Sequence, residues 1–314
     1  MIPNMTDRPS RCIRGAPVYD LHRLRLLREL KYRGTLAEVA RALGYSPSSV
    51  SQQLSILARE AGTPLLEAAG RGVALTPAAE VLVEHTERIL AEMESARAQV
   101  AASRGTVSGS VRLAAFQTAA HTFVPGAVAA LHAAHPGVRV RVSHIGAEAA
   151  LPALIAGDFD LVLWERYPGR PLHTTTGAED EVLGEDPLHL AVPSAWVRET
   201  GDPSPSALTG HPWVMEHPGS DPREWAVAEC RRAGLEPEVA FESADVLLHA
   251  RLVSDGYAAA FLPRLGLPVS PSFRVGAPVA ARTVLMSRRS GRSSDPAVRA
   301  LASALRATSA PLLQ

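Results

Sequence analysis

Cysteine is scarce. Cys12 and Cys230 are the only two in 314 residues, which excludes a disulfide framework and a cysteine-built zinc site and fits a reducing compartment. Net charge is also lacking: 32 basic residues balance 32 acidic ones, so the chain as a whole carries no sign of a polyanion partner, and Lys31 is the sole lysine. The longest stretch free of Asp, Glu, Lys and Arg runs from Leu113 to Val138. Gln117, Thr118, three histidines and two prolines interrupt it, so a buried strand followed by a helix is expected there, not a membrane span. Arg8, Arg11 and Arg14 precede no apolar segment, so no secretory signal is read and a cytoplasmic location is expected. Enzyme signatures are missing too. There is no Gly-x-Ser-x-Gly elbow, P-loop or His-Glu-x-x-His, and Gly70-Arg71-Gly72 lacks the third glycine and the preceding strand of a dinucleotide site. His132 and His135 could share a helix face but have no further ligands nearby. No catalytic residue, cofactor or metal is therefore expected.

What is present is enough for two domains. Apolar residues make up 46% of the chain and charged residues 20%, ordinary for a folded protein. Residues 1–18 read as a flexible tail. From Tyr19 the periodicity turns helical, with Leu21, Leu24, Leu27 and then Arg28 or Leu30 in register until Gly34. Thr35-Leu36-Ala37-Glu38 is a capping box opening a second helix, with Leu36, Val39, Ala40 and Leu43 on its apolar side and Gly44 at its end. A third helix begins at the cap Ser46, with Pro47 in the first turn, where a missing N–H costs nothing; Val50, Leu54, Leu57, Ala58 and Ala61 form its buried stripe.

Helix, glycine turn, helix is helix-turn-helix geometry. The outward side of the third helix carries Ser46, Pro47, Ser48, Ser49, Ser51, Gln52 and Gln53. Glutamine can bond an adenine edge in bidentate fashion, and serine a base or a phosphate; a plain solvated face reads equally well from these residues alone. Charge favours the first reading, because residues 1–73 hold eleven basic against six acidic residues within a neutral chain. Arg71, flanked by Gly70 and Gly72 between short extended stretches, reads as the tip of a wing. Thr76-Pro77 then caps a helix to about Ala102, in which Leu82, Thr86, Ile89, Met93, Ala96 and Val100 form a heptad seam. That seam packs either on its own chain or on a second copy; a dimer is favoured, because a palindromic site demands two-fold symmetry.

This order of parts resembles the LysR-type transcriptional regulators. The residues that carry the resemblance are Ala40-Arg41-Ala42-Leu43 before the turn, Ser46 through Leu54 in the reading helix, and Gly70 through Thr76 in the wing. Departures are Pro47, where the family usually has glutamine, Leu66 for phenylalanine, Ala68 for arginine and Ala79 for glycine. The resemblance implies an α+β multidomain protein: an N-terminal winged helix-turn-helix, a long linker helix and a C-terminal α/β effector domain with the two-lobed periplasmic-binding-protein-like (type 2) fold. The expected bounds are 19–76, 77–102, a hinge at 103–109, and an effector domain at 110–314 whose first lobe takes 110–182 and 268–314 and whose second takes 183–267. Crossings between lobes are expected near Glu181–Gly184 and Gly266–Ser270. The resemblance further implies double-stranded DNA with an interrupted palindromic site as partner, a dimer through the linker helix assembling to a tetramer, a small effector, and contact with RNA polymerase.

Independently, the second half alternates strands and helices, the mark of parallel βαβ units. Val111–Phe116, Val138–Val142 and Phe159–Trp164 read as strands, Ala147–Ala156 and Asp221–Arg232 as helices. Ligands of open α/β sheets bind off the carboxyl ends of strands. The candidates there are Gln117, Thr118, Ala119, Gly146, Ala147, Trp164, Glu216, His217 and Asp245. In the family, the positions of Thr118 and Ala147 commonly contact the effector, and alanine at 147 removes a hydroxyl. Trp164 reads as pocket wall or core; His121, His144 and His217 read as structural or as pH-responsive. Helix N-termini favour anions, so a carboxylate-bearing metabolite is the expected effector. The competing reading is an α/β small-molecule-binding enzyme or sensor with no DNA-binding role. An exported solute-binding protein is set aside on the N-terminal helices.

Overall fold

A computed structural model describes residues 19–70, 72–102, 107–170, 177–200, 203–289 and 292–313. The expected tail, Arg71 and hinge residues 103–106 lie outside these. The chain divides into two units, Met1–Leu90 and Ala91–Gln314.

The first unit is built from strongly capped short helices. In α1 (Leu21–Arg33), Asp20 accepts from the amides of His22 and Arg23. In α2 (Leu36–Leu43), Thr35 accepts from Glu38, and in α3 (Pro47–Ala61), Ser46 accepts from Ser49. Gly34, Gly44 and Gly62 close the three helices in the left-handed region, at φ of 77°, 73° and 68°. Leu24, Leu27, Leu30, Val39, Val50, Leu54 and Leu57 meet in one core. Each full burial contributes roughly 1.5–3 kcal/mol. Arg28 is buried as well as Leu30, because its guanidinium pairs with the buried Glu29 carboxylate at 3.2 Å, which also takes Arg33 at 2.7 Å. Strands β1 (Leu66–Ala69) and β2 (Gly72–Leu75) form the antiparallel wing. Thr76 bolts α4 (Pro77–Ala102) to that wing: its hydroxyl donates to Pro64 O at 2.9 Å and accepts from Ala79 N at 3.3 Å.

The α4 seam is split. Thr86 is fully buried beside Val83, with its hydroxyl returned to Leu82 O, while Ile89, Met93, Ala96 and Val100 stand exposed. The uncovered stripe therefore begins about two turns later than the periodicity of the sequence suggests.

The second unit opens with β3 (Gly109–Ala115), α5 (Gln117–His121), α6 (Val124–Ala134), β4 (Val138–His144), α7 (Ala147–Ala156) and β5 (Leu161–Arg166). It continues through β6 (Ala178–Val192), α8 (Ser194–Thr200), β7 (Pro212–Met215), α9 (Asp221–Arg232), β8 (Glu238–Glu242), α10 (Val246–Ser254), β9 (Ala260–Pro263), β10 (Arg274–Arg289) and α11 (Pro296–Ser309). A six-stranded sheet runs β4-β3-β5-β10-β6-β9, and β7 and β8 form a parallel pair tied to it by a bridge from Trp213 to Ala259. β3 is parallel to β4 and β5, and β10 is antiparallel to β5 and β6. Apolar cores cover both faces at each end: Leu113, Phe123 and Leu301 against Leu154 and Trp164 in the first lobe, Trp213 and Trp225 against Val253 and Leu262 in the second.

The two lobes are joined by the long strands β6 and β10, paired along their length. The second crossing is a correction to the sequence reading. Residues 274–281 still pair with the second-lobe end of β6, and the chain passes between lobes near Arg282–Val284, not near Gly266–Ser270. Glycine, proline and serine at 266–272 mark where a loop ends. They carry no information on where a sixteen-residue strand changes lobes.

Candidate DNA-binding face and effector cleft

On α3 the structure separates the seven candidates. Ser46, Pro47, Ser48, Ser51 and Gln52 are exposed on one side, and Ser49 is half-buried. Ser46 and Ser48 hydroxyls lie 3.0 Å apart at the helix start. Gln53 is turned inward: Arg23 Nε donates to its Oε1 at 3.0 Å, and the same guanidinium pairs with Glu60. Its amide is therefore engaged within the protein, because position 53 lies about 100° round the helix from position 52. Arg71 lies outside the described residues; its neighbour Gly70 takes a φ of 57°, as a tight wing turn requires. The sequence reading missed Tyr45, which is 47% exposed immediately before the cap and meets His22 edge-on at 5.5 Å. Exposed Arg25 and Arg59 on the same unit were counted only as charge.

In the second unit, the strand ends converge on a buried arginine. Arg282 in β10 is 1% exposed. Its Nε and Nη2 donate to Asp186 Oδ2 at 3.0 and 2.8 Å, Nη2 also to the Thr118 hydroxyl at 2.6 Å, and Nη1 to the Tyr167 hydroxyl at 3.3 Å. Asp186 takes Leu265 N on its other oxygen at 3.1 Å. Glu165 Oε1 stands 3.6 Å from Arg282 Nη1, and the Phe116 ring lies under the guanidinium at 5.1 Å. Burial opposes the charge on Arg282, yet Tyr167, Asp186 and Glu165 more than offset it and hold the guanidinium protonated.

Two carboxyls beside it are shifted the other way. Burial pushes Glu165 up to about 7, against the pull of Arg282 and with the help of Glu148 and Asp186. Burial and then Glu165 push Glu216 up to about 7. Glu216 lines a cavity of about 30 Å³ with Tyr167, Trp225 and His249.

Of the nine cleft candidates, Gln117 and Asp245 are brought together. Gln117 Nε2 donates to Asp245 Oδ1 at 2.6 Å, and its Oε1 accepts Val246 N at 2.8 Å, clasping one lobe to the start of α10 in the other. That bond, opposed by burial and reinforced by the Leu248 and Leu247 amides, lowers the Asp245 carboxyl below its ordinary value. Thr118 is buried against Arg282, and Glu216 is half-buried opposite Glu165. Gly146 and half-buried Ala147 start α7, with the Glu148 carboxylate folded back toward Gly146. His217 is exposed.

Ala119 and Trp164 are corrections. Ala119 is fully buried in the first-lobe core. Trp164 packs under α7, its indole N–H donating to Ser287 at 2.7 Å. Side chains alternate along β5, so the residue facing the cleft is Glu165. Arg282, Asp186 and Tyr167 were missed; an arginine within the apolar run Val279–Met286 was the available signal.

The second unit matches the LysR substrate binding domain over residues 104–310, and the first matches the bacterial regulatory helix-turn-helix protein, lysR family, over residues 21–80. Among relatives, the HTH-type transcriptional regulator TfdT of Cupriavidus pinatubonensis is 33% identical over 177 residues, covering 54% of this chain and 75% of its own. A probable hydrogen peroxide-inducible genes activator of Mycobacterium avium is 29% identical over 273 residues, covering 84% and 86%. Among solved structures, a full-length OxyR variant from Pseudomonas aeruginosa shares the fold at a TM-score of 0.66 and 20% identity over 93% of this chain and 96% of its own. CbnR in complex with its target DNA does so at 0.50 and 21%, over 92% and 100%. The relatives are regulators, not enzymes, and with a reading domain and an effector domain both matched, this chain belongs to the LysR-type transcriptional regulators, DNA-binding proteins whose second domain receives an effector.

Proposed function

We propose that α3 lies in the major groove with Ser46, Ser48, Ser51 and Gln52 toward the bases and phosphates, and that Arg71 contacts the backbone or the adjacent minor groove. The observation that carries this reading is the row of hydroxyl and amide groups left exposed along one side of a helix whose other side is fully buried. Pro47 offers no donor there, so Gln52 carries the base-reading role, and Gln53 supports the helix through Arg23. Two copies pair through the open stripe of α4, matching an interrupted palindrome, and the dimers double into a tetramer that meets RNA polymerase. The protein works in the cytoplasm. A small effector held between the lobes biases their closure and so the spacing of the reading heads.

The test is a titration of the protein on its own upstream DNA at several salt concentrations. Wild type is expected to bind with an affinity that falls steeply with salt. Gln52→Ala should lose discrimination between matched and mismatched sites, worth about 1–3 kcal/mol, while Arg71→Ala should weaken binding to every sequence and flatten the salt slope by about one. Wild-type behaviour in both variants overturns this placement of α3.

A further inference from the structure

We infer that the interlobe cleft receives a cationic effector, an ammonium or guanidinium compound, with Glu165 and Glu216 as its acceptors. This rests on reading the cleft as the effector site and names the chemistry that site selects.

The cleft has little left to offer an anion. Arg282, its one buried cation among the described residues, has its donors turned to Asp186, Thr118 and Tyr167. The start of α10 is already filled, by the Asp245 carboxylate on Leu247 N and Leu248 N and by the Gln117 oxygen on Val246 N. At the start of α7 a Cβ added to Gly146 would stand 3.1 Å from Glu148 Oε2, so an incoming carboxylate there meets a like charge. The buried guanidinium and the start of α10, two places where an incoming carboxylate would gain most, are thus taken.

Acceptors, by contrast, are in excess. Arg282, Glu148 and Asp186 act on Glu165, and Glu165, Arg282 and Glu148 on Glu216, so four carboxyls share one buried guanidinium; Arg223 at the edge spends its Nη1 on Glu216 O and the Glu242 carboxylate. Asp186 is fully engaged, but Glu165 Oε2 is shut off from solvent with no hydrogen-bond partner. A buried carboxylate oxygen without a donor is costly. A ligand N–H relieves that cost, whereas a ligand carboxylate adds to it. On the second-lobe side, Glu216 lines a 30 Å³ cavity with Tyr167, Trp225 and His249; Glu165 lies outside its lining and meets Glu216 only through their mutual field. A space of that size takes about one water or an ammonium-sized head, and aromatic faces favour a cation.

The titration of the same groups supports the assignment. Glu165 and Glu216 are both held up to about 7, with Arg282, Asp186, Tyr167, Glu148 and Arg223 about them, while burial lowers His249 below its ordinary value. A bound cation requires these carboxyls ionised, so binding must release protons and strengthen as pH rises from 6 to 8.

The experiment measures the thermal midpoint of the full-length protein against increasing benzylamine and agmatine, and against benzoate and succinate, at pH 6 and pH 8. The amines are expected to raise the midpoint saturably, with at least five-fold tighter apparent binding at pH 8. The isosteric variants Glu165→Gln and Glu216→Gln should each weaken that binding at least five-fold; having two variants on different lobes guards against one that fails to fold. Stabilisation by the carboxylates and not the amines overturns the proposal while leaving the cleft as the effector site. Amine binding unchanged in both variants overturns it by placing the site elsewhere. No shift with either class overturns both the proposal and the cleft reading, and none of these results touches the DNA titration.

Discussion

The two units treat polar side chains in opposite ways. Along α3, hydroxyls and an amide are left in solvent on a scaffold that is apolar beneath them. Between the lobes of the second unit, the Arg282 guanidinium and the Asp186 carboxylate are drawn inside and satisfy one another, with the Thr118 hydroxyl as a further acceptor. The first arrangement costs almost nothing in stability and leaves donors and acceptors available to a partner. The second makes the folded state depend on a complete network, since a buried charge is tolerable only while it is paired. A reading head keeps its chemistry outside the fold, and a sensing domain builds its chemistry into it.

Breaking the Arg282 network should therefore have the largest effect. Arg282→Met leaves Asp186 buried without its partner and is expected to cost about 3–5 kcal/mol in urea unfolding. Adding Asp186→Leu should return much of that loss; if the single variant unfolds like wild type, the Arg282 network does not stabilise the fold. The next effect is on pH. Glu165 and Glu216 have folded values above those of the unfolded chain, so their contribution is fully present below about 4.5 and is lost as pH rises through about 7. Thermal stability of the second unit should fall between pH 6 and pH 8 by on the order of 1–3 kcal/mol, and Glu165→Gln should flatten the fall. A midpoint that rises over the same interval contradicts the burial of these groups. The smallest effect belongs to the reading head. Ser46→Ala removes one cap bond and should cost about 1 kcal/mol, read as a lower unfolding midpoint of the first unit with α3 still formed. A loss several-fold greater would mean that Ser46 does more than cap.

Cys230 lies in the second-lobe core. It is fully buried, and burial pushes its thiol up to about 12, so it holds little thiolate to react.

The first unit was legible almost residue by residue because its signals are local. Thr35, Ser46 and Thr76 cap where they stand, Gly34, Gly44 and Gly62 end their helices, and α4 and α7 have the bounds their patterns indicate. The effector cleft was legible only as a set of strand ends. Choosing Trp164 over Glu165 was a matter of which side of β5 faces inward, and local periodicity does not number the sides of a strand buried on both.

From its sequence alone this chain determined its capped helices, its wing, its basic N-terminal end and the alternation of its second half, because each rests on residues within a few positions of one another. Only the tertiary structure decided that Arg282, Asp186, Thr118 and Tyr167 meet, that Gln117 clasps Asp245 128 residues away, and that Gln53 bends inward while Gln52 does not. Those contacts join strands and helices far apart in the chain, and a buried charge shows its meaning only when the groups that neutralise it have been carried to its side.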